Sequence, residues 1–262
     1  MRAVFHAVTS RIGRLLTAMH YVIPSSHYAL LALFFFAGLE VVLALHRWIF
    51  VVITVVLAIT VLGVILIRTE EEGEFHPSQA ILPTFAALGL TSFSLFVPAT
   101  LWIHFYFIGS AIVFFFLLKH GAKQAYPTWN WMISLIILYV LLASILGWRF
   151  NLYVPVIFIL ILSSFSILLL SFQSLLRYTR RQSEAWLIAL SIAFVLTEVI
   201  WVLQFLPFHF FIQTGVVTAL YYVIFQLAAM SYEKKLERKD ILEYIAVGTV
   251  ALLMLLFTAR WV

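Results

Sequence analysis

Long apolar runs separated by short polar gaps fill the chain from Tyr28 to Thr258. Each run is ~18–24 residues long and apolar on every face, which suits a helix crossing a hydrocarbon layer about 30 Å thick. The pattern predicts nine spans: Tyr28–His46, Trp48–Ile67, Ala80–Val97, Thr100–Leu118, Trp131–Trp148, Leu152–Leu176, Trp186–Leu206, Phe208–Met230 and Ile241–Thr258. Pro98 and Pro207 each divide an apolar stretch that would otherwise form one helix of about 40 residues, about 60 Å long and too long for a bilayer. Two helices joined by a tight turn are expected at each, with a kink or a re-entrant segment as the alternatives.

Before Pro24 the pattern changes. Val4, Phe5, Val8, Ile12, Leu15, Leu16 and Met19 fall on one helical face, with His6, Ser10, Gly13, Arg14, Thr17 and His20 opposite. Arg2, Arg11 and Arg14 are scattered through the segment, so it does not read as a secretory signal, which has a basic start and then an uninterrupted apolar core. Residues 1–23 are expected to form an amphipathic basic helix lying in the membrane interface, or one packed on a partner. The fold class is therefore all-α: a polytopic integral membrane bundle in residues 24–262, preceded by an interfacial helix.

Composition supports this. The chain is 65% hydrophobic and 10% charged, against about 25% charged in soluble domains. Barrel strands would be about 10 residues long and would alternate in polarity, and these runs do not. With no cysteine, disulfides, thiolate nucleophiles and cysteine-bound metals are excluded. The net charge of +5 reflects basic loops rather than a nucleic-acid surface.

Those basic residues give an orientation. Arg2, Arg11, Arg14, Arg68, Lys119, Lys123, Arg177, Arg180, Arg181, Lys234, Lys235, Arg238 and Lys239 fall on one side of a nine-span bundle. Only Arg47, Arg149 and Arg260 fall on the other, a split of 13 to 3. Positive-inside bias puts the N-terminus in the cytoplasm and the C-terminus outside, in a bacterial or archaeal cytoplasmic membrane. The outer turns are very short, so a large external partner would have to engage helix ends. The inner rim, with Arg2, Arg11, Arg14, Arg177, Arg180 and Arg181, is expected to meet anionic lipid.

Ionisable or strongly polar groups within spans are costly in hydrocarbon, so each is a candidate for function. Glu198 lies near the middle of the seventh span. A carboxyl there must pair or take a proton, which fits a proton carrier, a general acid, or a hydrogen bond to a neighbouring helix. Glu40 and His104 lie toward the outer ends of the first and fourth spans, and His46 and His209 at outer ends. Gln204 and Gln213 flank the Pro207 turn. This bias toward the outer half predicts a polar pocket open to the outside, if the side chains face inward. His46, His104 and His209 lack the close spacing of a metal motif, and no metal or cofactor is expected. No lysine lies inside a span to form a retinal Schiff base, Asp240 is the only aspartate, and no nucleotide-binding or hydrolase motif is present. The small residues of Phe85–Ser94, and Ser163, Ser164 and Ser166, predict close helix packing.

Three functional classes fit these features. The first is a transporter-like protein that handles a lipid or small solute through the outer pocket. The second is a non-catalytic membrane subunit or assembly factor, with another membrane protein or a second copy as partner. The third is an intramembrane lipid-modifying enzyme, disfavoured by the sparse polar content.

Overall fold

The computed structural model describes residues 26–44, 49–72, 77–98, 100–121, 127–176, 178–179, 181–233 and 238–258. Among the described residues there are nine α-helices and no strand: α1 (Ser26–Ala44), α2 (Ile49–Glu72), α3 (Pro77–Phe93), α4 (Leu101–Gly121), α5 (Pro127–Leu152), α6 (Val156–Leu175), α7 (Gln182–Leu203), α8 (Phe210–Glu233) and α9 (Arg238–Thr258). Six contain segments long and apolar enough to cross a membrane: His27–Ala44, Leu101–Lys119, Met132–Leu152, Val156–Leu175, Gln182–Leu203 and Phe210–Tyr232. The chain is an integral membrane protein. Among the residues whose side chains are described, the apolar segments of the other three helices are shorter, Thr54–Ile65, Ala80–Phe96 and Ile241–Leu255. The interfacial helix expected over residues 1–23, the His46-Arg47 turn, and Arg2, Arg11, Arg14, Arg177 and Arg180 lie outside the described residues.

Prolines set several helix starts. Pro77 and Pro127 are the first residues of α3 and α5, and Pro155 is the N-cap of α6. Their fixed φ suits a first turn, and the absent N–H costs nothing there. Because α3 begins at Pro77, Pro83 lies inside that helix. Pro98 follows a short 3₁₀ turn, Ser94–Phe96, that ends α3, and Pro207 lies in the turn between α7 and α8. Both are turns between helices, and the chain is not a long kinked rod at either place.

Two cores share α3. Leu82, Phe85 and Ala86 of α3 join residues of α5, α6, α7 and α8 in one, including Leu138, Leu142, Ile159, Leu196 and Val217. Ala80 and Ala87 join residues of α1, α2 and α4 in the other, including Phe35, Leu39, Val56 and Phe114. Helix α9 packs on α8.

Small residues allow the close approaches. A Cβ on Gly89 would come within 3.3 Å of the Leu141 backbone, so α3 and α5 touch nearly backbone to backbone. There the Ser144 hydroxyl donates to the Gly89 carbonyl at 3.2 Å. Gly38 leaves room for Val56, and Gly63 for Leu31, which seats α1 on α2. Ser163, Ser166 and Ser171 are buried along α6, the helix packed most intimately on α7. Such small-residue seams are how helices associate where lipid gives no hydrophobic drive.

Candidate functional site

The ends of α5 and α7 and the start of α8 meet around one cation. Arg149 lies in the last turn of α5, where the partial negative charge of the helix C-terminus favours it. Its Nη1 donates to the backbone carbonyl of Gln204 at 3.2 Å and to the Gln204 side-chain oxygen Oε1. Gln204 is the C-cap of α7. Its Nε2 donates to Oε1 of Gln213 at 3.2 Å, and Nε2 of Gln213 donates to the Phe208 carbonyl at 3.0 Å. Gln204 is 8% exposed and Gln213 wholly buried.

The direction of this chain of bonds is forced. A guanidinium can only donate. Gln204 must therefore turn its oxygen to Arg149, which leaves its NH₂ for Gln213. Gln213 must then accept, and its own NH₂ remains for the Phe208 carbonyl. One arginine thus orders two amides and the turn around Pro207. Among the described residues no carboxylate pairs with Arg149, and its Nε and Nη2 have no protein partner. The result is a half-buried cation with two faces of N–H groups unspent.

Aromatic rings surround this end of the bundle. Tilted ring pairs bring Phe96 to Phe210 at 5.4 Å, Phe150 to Phe210 at 6.1 Å, and Phe93 to Phe211 at 6.0 Å between centroids. A Cβ on Gly147 would strike the Phe96 ring at 2.7 Å, so that glycine is what lets the ring lie against α5. The α5–α6 connection holds Tyr153 at φ 54°, 88% exposed. A left-handed backbone is unusual for a bulky residue.

A cleft of about 370 Å³ opens between α3, α5 and α6, lined almost entirely by apolar groups that include Phe85, Leu88, Leu141, Trp148, Phe165 and Leu169. Along α3 it extends from Ala80 to Ser92, about 18 Å at 1.5 Å per residue. Trp148, which lines the cleft, is the sequence neighbour of Arg149.

Of the seven polar residues singled out, His46 lies outside the described residues and the other six fall in separate places. Gln204 and Gln213 come together as described, with Arg149 as the partner that the sequence did not single out. His209 is exposed beside them, its ring 4.4 Å from that of Phe210. Glu40 and His104 form their own pair across α1 and α4, with Nδ1 of His104 2.9 Å from Oε1 of Glu40 and side chains 48% and 32% exposed for His104 and Glu40. Glu198 joins neither group. It is exposed on the outward face of α7, in a shallow groove with Phe194, Thr197, Trp201 and Val202. Of the rim arginines, Arg181 is described, and its Nη1 lies 3.0 Å from Glu184. Among the described residues no three His, Asp or Glu side chains lie close enough to share a metal ion.

No curated protein and no solved structure matches the chain. A family model described as "Protein of unknown function (DUF5656)" matches residues 29–258, and the chain belongs to that family.

Proposed function

We propose that the protein is a transporter-like handler of an anionic amphiphile, a lipid whose acidic headgroup meets Arg149 and whose chain occupies the apolar cleft ending at Trp148. The observation that carries this reading is the Arg149 guanidinium. It is braced by neutral amides, it lacks a carboxylate partner among the described residues, and it keeps N–H groups free for a bidentate oxyanion. A cation meant only to clamp helices would be more economically placed against an acid. Glu40 and His104 already satisfy each other and are left out of the site.

In this reading all nine helices cross the bilayer, with the N-terminus in the cytoplasm and Arg149 at the outer face. The 13 to 3 distribution of basic residues supports that orientation. Anionic lipid at the inner rim, including Arg177, Arg180 and Arg181, is part of the same proposal. A cysteine placed at Tyr153 should then react with an impermeant reagent from outside, and one at Ser231 only from inside.

The test is lipid-dependent stability of purified protein in neutral detergent. A single-chain phospholipid with a free phosphate monoester should raise Tm more than its choline-headed counterpart. Arg149→Gln should abolish the difference and Arg149→Lys should keep part of it. Equal shifts for both lipids, or an undiminished difference in Arg149→Gln, would refute the reading.

A further inference from the structure

We propose that the outward face of α7 docks a second copy of this chain, through Glu198 and Trp201. The face carries Leu187, Leu190, Phe194, Glu198 and Trp201, which follow one another at the three- and four-residue steps that align side chains along a helix. Apolar side chains on such a face need nothing but lipid. The two polar groups in it do.

Glu198 lies five residues before the end of α7 at Leu203, about 7.5 Å along the axis. Helical side chains lean toward the N-terminus of their helix, so this carboxyl leans away from the near end and toward the middle of the span. Among the described residues it has no hydrogen-bond or ion-pair partner. One turn further on, Trp201 is 51% exposed, and its indole N–H, which can only donate, also has none. Thr197 gives its hydroxyl proton to the Ala193 carbonyl at 2.6 Å, so it has none to donate to Glu198, and among the described residues it makes no bond with Trp201. An acceptor and a donor therefore stand unpaired, side by side, in a groove open to lipid.

A second copy supplies what each lacks. A two-fold axis along the membrane normal brings the same patch to the same depth, and in such an interface residue i meets j while j meets i. The carboxyl of one protomer then accepts from the partner's indole N–H, and the reverse contact forms with it. A different membrane protein would need a donor and an acceptor independently matched in depth and spacing. For an identical chain, symmetry provides the match. The groove beside Glu198 also gives the opposing indole a place to seat, as ridges enter grooves between packed helices.

The absence of native cysteine makes the test clean. Single cysteines replace Phe194 and Val202 on this face and, as a control, Phe158, which is 56% exposed on α6. Oxidation in membranes should link copies through the first two and not through the control. In bilayers of increasing lipid-to-protein ratio, Glu198→Ala and Trp201→Phe should each remove both reciprocal bonds and weaken dimerisation, roughly five- to thirty-fold for each bond if the bonds match interhelical bonds in model peptides. The double variant should lose little more than either alone, since both remove the same bonds. The proposal is overturned by a chain that is monomeric at every ratio, by cross-linking at the α6 control equal to that on α7, or by a dimer indifferent to both substitutions. Anionic-lipid binding at Arg149 is read separately, so failure here leaves that reading standing, and the reverse holds as well.

Discussion

Replacing Gln213 by leucine tests whether the ordered amides at the α7–α8 turn stabilise the bundle. The substitution is close in volume and removes two bonds, the one accepted from Gln204 at 3.2 Å and the one donated to Phe208 at 3.0 Å. It removes the acceptor of the Gln204 NH₂ and the donor that Gln213 gives to the Phe208 carbonyl, in a region where Gln213 is itself fully buried. Interhelical hydrogen bonds in membrane proteins average about 0.6 kcal/mol, which sets a floor near 1.2 kcal/mol for two. Full desolvation of the Gln204 NH₂, at about 1–3 kcal/mol, together with about 1 kcal/mol for the bond lost at Phe208, sets a ceiling of about 4 kcal/mol. Leucine regains little, because the alternative environment is already apolar. We expect a loss of about 2 kcal/mol, measured by SDS-driven unfolding in mixed micelles with tryptophan fluorescence as the signal. The stronger test is coupling. With Arg149 also changed to Gln, Gln204 is free to rotate and the loss of Gln213 should cost less, by at least about 0.5 kcal/mol. A single-mutant effect under about 0.5 kcal/mol, or strict additivity in the double mutant, would refute the idea of one directed network.

Other substitutions probe separate features. Gly89→Ala puts a methyl against the Leu141 backbone, which cannot rotate away, and should cost about 1–3 kcal/mol in the same unfolding assay. Tyr153→Gly removes an exposed ring from a left-handed position and should raise stability by about 1 kcal/mol, seen as a higher Tm. His104→Gln keeps a donor for Glu40 at a part-exposed pair and should change stability by less than about 1 kcal/mol. A larger loss would mean the pair is more desolvated than its geometry implies.

The helical class was legible because hydrocarbon imposes it: a chain this apolar can only close its backbone bonds within helices. Pro98 and Pro207 read as turns on length alone, and the structure has turns at both. The small residues of α3 announced a close seam, and Gly89 against Leu141 is that seam. The inward direction of the polar side chains was not legible. Helices apolar all round carry no stripe to mark the core, so nothing in the neighbourhood of Glu198 distinguished a lipid-facing position from a buried one. Arg149 escaped notice for a different reason. It is 55 residues from Gln204, and as one of a few cations in short outer turns it looked like a topological marker. Only the meeting of three helix ends gives it amide partners.

The sharing of α3 between two cores limits how this molecule can change shape. One side of that helix is tied to α5 at Gly89, while Ala80 and Ala87 look toward α1, α2 and α4. If the α1–α2–α4 group rocks against the rest, the slip plane must run along the Ala80–Ala87 flank, with α3 travelling as a keel fixed to its larger neighbour. Bulkier side chains on that flank would jam the motion without touching any polar residue.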